Sequence, residues 1–276
     1  MNIFQDLYKE FICYLNNNLG GIMVTTLIFA GGVGVRMNNN AKPKQFLQIN
    51  GKSILLHTIE KFDRHVQIDN IIVVCIEGWI DYLKLELKKH NIKKVKWIVP
   101  GGSTGQESIL NGLKELEKQL KINNDNIVLI HDGVRPIIDN YTITENINSV
   151  RTYGNAITVA HEIETIASVN EDGKIDRLID RNTVKIAKAP QSFYLKDIIE
   201  AHKKSIEDKK VDFIDSATLM SYYGNKLHTV IGPSDNIKVT TAKDFFMLKA
   251  MLELRENLNE LERLESYDDR ERVYYR

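Results

Sequence analysis

The sequence predicts an α/β fold: a mostly parallel, twisted sheet with helices on both faces and an antiparallel β-arm projecting from it. Three observations lead there. Short apolar runs at residues 70–76, 95–99 and 127–130 alternate with segments of helical period, the order of strand–helix–strand units. The first strand and the strand ending at Val99 break into glycines, and ligands of parallel sheets collect at such strand ends. Residues 156–186 change character, with β-branched and polar residues alternating around a Glu171-Asp172-Gly173-Lys174 turn, as in a hairpin.

Composition narrows the class. A chain of 276 residues buries a full core as one domain with appendages. Lys and Arg number 37 and Asp and Glu 37, so no global field favours nucleic acid or an anionic membrane, and any basic site is local. Cys13 and Cys75 lack metal-ligand spacing, and Cys75 sits in the apolar run IIVVCI. A reduced, buried thiol and a soluble, cytoplasmic protein are expected. The first 22 residues carry acids and no continuous apolar stretch, and no run approaches the roughly 20 residues of a membrane span.

Taken in order, residues 2–16 space Ile3, Phe4, Leu7, Phe11 and Leu15 as an amphipathic helix. Met23 stands directly before the first strand. The expected layout is a helical extension over 1–22, a main domain over 23–253 with its arm at about 156–186, and a charged helical tail over 254–276.

Residues 27–47, LIFAGGVGVRMNNNAKPKQFL, form the organising stretch. A buried strand ending in Gly31, Gly32 and Gly34 lets backbone N–H groups approach an anion, and Arg36, Lys42 and Lys44 add positive charge. The spacing fits neither the Walker loop nor the dinucleotide fingerprint. Residues 53–62 and 79–90 read as helices. At 101–113, two glycines and a polar loop precede Ser108, which either caps the following helix or touches a nucleotide.

The strand at 127–130 delivers His131-Asp132-Gly133-Val134-Arg135-Pro136. Here Asp132 either holds a divalent metal that carries phosphates, with Arg135 binding a further phosphate, or forms an internal ion pair with Arg135. The arm leaves edges and apolar faces that a second subunit would cover. Helices are expected at 195–206 and 216–223 and a strand at 226–231. Lys238, in a further apolar stretch read as a strand, either meets an anion or lies on an exposed edge. From residue 241 a helix carries the stripe Phe245, Leu248, Met251, Leu252 and Leu254 before the charged tail. There is no G-x-S-x-G elbow and Cys75 has no evident His partner, so nucleophilic hydrolysis has little support.

The ordered set AGGVGVRM, KPKQFL, PGGSTGQES, HDGVRP, IETI, IDRN, APQSF and DNIKVT resembles the cytidylyltransferase family that contains the methylerythritol-phosphate and ribitol-phosphate cytidylyltransferases. The resemblance implies a Rossmann-like nucleotidyltransferase domain whose β-arm is exchanged in a homodimer. It implies CTP and an alditol phosphate as substrates and Mg2+ as the cofactor, with Asp132 as metal ligand. By the same resemblance, Phe29, Ala30, Gly31, Gly32, Gly34, Gly101, Gly102, Ser108, Asp132 and Gly133 bind CTP. Arg36, Lys44, Arg181 and Lys238 are the catalytic residues. Arg135, Thr165, Arg181 and Lys238 hold the acceptor phosphate, Thr165 and Arg181 reaching in from the neighbouring arm.

The chemistry suits these residues. The attacking group is already a phosphate anion, so the task is to bring two polyanions together and support charge on the departing pyrophosphate. Departures from the family pattern are Gly105 in place of an arginine, and Ala189 and Ile214 in place of threonines. Ala-Gly-Gly in the first loop and Val134 lean towards a ribitol 5-phosphate acceptor, with methylerythritol 4-phosphate as the alternative. A nucleotide-binding scaffold without activity is a remoter alternative.

Overall fold

The computed structural model describes residues 22–32, 42–120 and 125–274, the last helix as backbone alone beyond residue 258. The proposed N-terminal helix and Cys13 lie outside these residues. β1 (Val24–Ala30) leads through a single 3-10 turn (Lys44–Phe46) to a small hairpin of β2 (Gln48–Ile49) and β3 (Lys52–Ser53). Then follow α1 (Ile54–Arg64), β4 (Asn70–Cys75), α2 (Ile80–Lys89), β5 (Val95–Pro100), α3 (Gly105–Gln119) and β6 (Ile127–Asp132). The second half comprises α4 (Asn140–Tyr153), β7 (Asn155–His161), β8 (Ile166–Val169), β9 (Ile175–Ile179), β10 (Lys185–Tyr194), α5 (Leu195–Glu207), α6 (Ser216–Tyr222), β11 (Thr229–Ile231) and α7 (Ala242–Tyr274).

Seven strands form the main sheet in the order β11-β7-β10-β6-β1-β4-β5. β1 lies parallel between β4 and β6, β4 is parallel to β5 and β11 to β7. Only β10 runs antiparallel to its neighbours β6 and β7. The sheet is therefore mainly parallel, as the alternating pattern requires. β4 shows why: all six of its residues are buried, Ile71, Val73 and Cys75 packing into one core and Ile72 and Val74 into the other. The first core takes Leu55, Ile59 and Phe62 from α1, Leu83 from α2 and Ile143 and Ile147 from α4. The second takes Leu113 from α3, Ile198 from α5 and Leu219 from α6. At Gly112 a Cβ would come within 2.7 Å of Leu27 Cδ1 and 2.9 Å of Val74 Cγ2, so the missing side chain is what lets α3 lie this close to the sheet.

Three features differ from the sequence reading. Residues 156–161, expected in the arm, belong to β7 of the main sheet; the projecting hairpin is β8 and β9 alone, a separate two-stranded sheet. The strand expected at 226–231 shortens to β11. Helix α4 has no clean apolar stripe because its buried face includes Thr142, Asn146 and Ser149. Asn146 donates to Thr142 O and Thr158 Oγ1, both at 2.9 Å, and accepts from Ser192 Oγ at 2.9 Å. A satisfied polar network substitutes for part of the hydrophobic face.

Cys75 is buried, and burial pushes its thiol up to about 12, so it is no nucleophile at neutral pH. No helix among the described residues is long and apolar enough to cross a membrane. His131 in β6 and His202 in α5 are buried, and burial lowers both rings to about 4. Each therefore favours the fold as the neutral ring. That stability is fully present above the ordinary histidine value of 6.5 and is lost as pH falls through about 4. We expect the melting temperature to hold near neutrality and decline between these limits, with a shallower decline in His202→Leu. An identical acid slope in that variant would show that His202 charges at no cost.

Candidate active site

The carboxyl ends of β1, β5 and β6 meet on one edge of the sheet, where the antiparallel β10 brings its first half, residues 187–191. After β1, Gly31 passes so near the loop after β5 that a Cβ on it would sit 2.8 Å from Gly101 Cα and 2.9 Å from Ser108 Oγ. Any side chain there would force the two loops apart. Ser108 is buried in the first turn of α3; its hydroxyl accepts from Gly102 N at 3.0 Å and donates to Thr104 O at 2.9 Å. Of the two readings of Ser108, capping of this helix is not what the structure shows. Thr104 is the cap, accepting from Glu107 N at 3.0 Å, while Glu107 reaches back to Ser103 N at 2.7 Å.

The first glycine loop is also held from below. Gln45, buried in the 3-10 turn, donates its amide to Ala30 O at 2.7 Å and Gly32 O at 3.2 Å. These bonds hold two carbonyls at the start of the loop. Lys44 precedes Gln45 in the same turn. The Lys42 ammonium donates to Tyr82 OH at 2.9 Å and lies over the Tyr82 ring. Gly34 and Arg36 fall outside the described residues.

At the end of β6, Gly133 donates to Phe29 O at 3.0 Å, and a Cβ there would meet Ala30 Cβ and Leu55 Cδ1 at 2.9 Å. Asp132 engages two cations at once: Arg135 Nε is 2.9 Å from Oδ2 and Lys238 Nζ is 2.6 Å from Oδ1. Burial alone would raise this carboxyl; Lys238 and then Arg135 outweigh it and hold the group below its ordinary range. The internal ion pair foreseen for Asp132 and Arg135 is thus present, with Lys238 as its third member.

Lys238 does not lie on a strand, as expected from its apolar neighbours, but in the loop between β11 and α7. Its flanks show apolar character because Val239 is buried beneath α7 with Val134, Ile137 and Leu248. The loop is fixed from several directions. Asn236 O accepts from Arg135 NH1 at 2.9 Å, Val239 N donates to Val134 O at 3.1 Å, and Arg255 of α7 pairs with Asp235 at 2.9 Å.

These elements enclose a cleft of about 280 Å³ whose walls include Phe29, Gln106, Asp132, Arg135, Lys188 and Lys238. Thr165 and Arg181 are not among its walls. Both are exposed on the arm, where Arg181 NH1 donates to Ile163 O at 3.2 Å. The hairpin exposes Val169, Ile175 and Leu178. Among the described residues no group of three or more His, Cys, Asp or Glu side chains is placed to hold a metal, so Asp132 is the single carboxylate on offer from the predicted set. Gln45 and Lys188 were not anticipated. Gln45 follows the visible Pro43-Lys44 pair, whereas Lys188 enters the cleft only through an irregularity of β10 that no periodicity announces.

The family model described as 2-C-methyl-D-erythritol 4-phosphate cytidylyltransferase (IspD) matches residues 24–254. The chain is 48% identical over 236 residues, 86% of its length, to a ribitol-5-phosphate cytidylyltransferase of Vibrio parahaemolyticus, 98% of which is covered. It is 38% identical over 231 residues, 83% of its length, to a 2-C-methyl-D-erythritol 4-phosphate cytidylyltransferase of Clostridium acetobutylicum, 97% of which is covered. Among solved structures, a 4-diphosphocytidyl-2C-methyl-D-erythritol synthase of Anaerococcus prevotii superposes with a TM-score of 0.72 at 27% identity, covering 84% of this chain and 96% of that one.

The contact between the two glycine loops is open to test. Gly31→Ala should destabilise the protein by about 1–3 kcal/mol, the usual cost of forcing a methyl into packed surroundings, as read by urea denaturation. Unchanged stability would mean that the loops do not meet as described.

Proposed function

Because the chain belongs to the IspD cytidylyltransferase family, we propose that it transfers the cytidylyl group of CTP to ribitol 5-phosphate, releasing pyrophosphate and forming CDP-ribitol. The observation that carries this reading is the Asp132, Arg135 and Lys238 cluster beside two apposed glycine loops at the strand ends. The greater similarity of the ribitol-type relative supports the acceptor; the Clostridium relative makes methylerythritol 4-phosphate the second reading.

An oxygen of the acceptor phosphate attacks the α-phosphorus of CTP, a P–O bond forms there, and the bond to the β-phosphate oxygen breaks with its electron pair leaving on pyrophosphate. No base is required, because the nucleophile is already an anion. The backbone of Phe29, Ala30, Gly31, Gly32 and Gly34, with Gly101 and Gly102, cradles the nucleotide, and Ser108 keeps the second loop in place for it. Arg36 and Lys44 support the charge that builds on the α-phosphate. Arg135 and Lys238 turn from Asp132 to the acceptor phosphate.

Asp132 and its neighbour Gly133 fit a magnesium triphosphate, since this ion is commonly held by one or two carboxylates and completed by substrate phosphates. Asp132 would hold the ion, which supplies positive charge to the phosphate oxygens when bound. Thr165 and Arg181, which do not line the cleft of their own chain, serve the cleft of a second copy through the arm, whose exposed Val169, Ile175 and Leu178 suit a homodimer interface. A cytoplasmic setting, where CTP is available, follows from the substrates. The inactive-scaffold reading leaves the convergent cations without a purpose.

Purified protein with CTP and magnesium should release pyrophosphate with ribitol 5-phosphate in strong preference to methylerythritol 4-phosphate, and UTP should serve poorly. The opposite acceptor preference would assign the second reading, and no release with either would overturn cytidylyl transfer to these acceptors. Lys44→Ala should lower kcat by roughly two to three orders of magnitude, the usual loss for one electrostatic donor. A folded Lys44→Ala enzyme with normal turnover would remove Lys44 from the chemistry.

A further inference from the structure

Strand order divides the site. The glycine loops follow β1 and β5 on one side of β6, while β10 lies on the other side with β7 and β11, which leads into the Lys238 loop. Lys188 belongs to this second side. The pairing of β10 with β7 slips between Ala187 and Gln191, and the pairing of β10 with β6 begins at Gln191, so the intervening residues bulge out of the ladder. The bulge carries Lys188 into the wall of the cleft with Asp132, Arg135 and Lys238.

The charge arrangement there is uneven. Arg135 and Lys238 spend their charges on Asp132, whereas Lys188 forms no ion pair among the described residues and donates to a neutral group, Ser234 O, at 2.7 Å. Burial and then the Arg135 guanidinium push its ammonium below the ordinary lysine range, and Asp235 offsets this only in part. A partly desolvated cation without a counter-ion costs stability that an arriving anion repays. A phosphate monoester carries about 1.5–2 negative charges at neutral pH, and Lys188 offers it a cation that Asp132 does not already neutralise.

We propose that Lys188 binds the phosphate of the acceptor and sets the affinity for that substrate, not for the nucleotide. The proposal rests on the cytidylyltransferase reading above. In strand order Lys188 lies across β6 from the glycine loops, and its bond to Ser234 O ties it to the loop that carries Lys238.

The test is steady-state kinetics on the purified enzyme with each substrate varied in turn, using whichever of the two acceptors the wild type turns over. Lys188→Gln keeps an amide able to donate to Ser234 O but removes the charge. It should raise the KM for the acceptor by about 10- to 100-fold, the range for losing a charge-assisted hydrogen bond, with kcat and the KM for CTP nearly unchanged. Lys188→Arg keeps the charge and should restore most of the acceptor affinity. A wild-type acceptor KM in Lys188→Gln would reduce Lys188 to a support for the loop and overturn the proposal. A rise confined to the KM for CTP, or to inhibition by pyrophosphate, would assign the lysine to the nucleotide side and overturn it equally. A wild type inactive with both acceptors fails at the earlier step, before Lys188 is altered.

Discussion

A buried carboxylate at a strand end is the constraint on which the site depends. Asp132 ends a strand whose every residue is buried, and an ionised carboxyl there is tolerable only with opposite charge in contact. Arg135 and Lys238 meet that need from two directions, one from the turn that follows the strand and one from a loop about a hundred residues later in the chain. The cluster therefore fixes the distance between the two halves of the fold. It also keeps both cations in a compensated form.

The glycines act through proximity. Gly31 and Gly101 bring two strand-end loops to backbone contact, Ser108 bonds the second loop to its helix, and Gln45 ties down the carbonyls of the first. The backbone of both loops is thus held in place by its own neighbours. Preorganisation of this kind is where most of the electrostatic advantage of a rigid site arises.

The sequence disclosed what depends on local pattern. The continuous apolar runs of β1, β4 and β6 could be read as buried parallel strands, and the glycines and Asp132 at their ends marked the edge where a ligand collects. What it withheld depends on tertiary context. Helix α4 was hidden because Asn146 and its partners replace part of an apolar face. Lys238 looked like a strand residue because Val239 is buried, although that burial is supplied by α7. Lys188 reaches the cleft through a bulge whose cause lies in the differing registers of two neighbouring strands. Arg181 and Thr165 carried a motif signal but no positional one, since they are exposed on an arm and do not line the cleft of their own chain.

Helix α7 spans 33 residues, about 50 Å at the ordinary helical rise, yet it is packed against the domain through its first turns, at Phe245, Leu248, Met251 and Leu252. Arg255 then grips Asp235 and Glu256 accepts from Asn50, beyond which the backbone runs on to Tyr274. Asp235 stands three residues before Lys238, so the helix that closes a third core is also pinned to the loop that carries this cation. The two are therefore coupled in folding: loss of the first turns of α7 would take away both the cover of Val239 and the tether of Asp235.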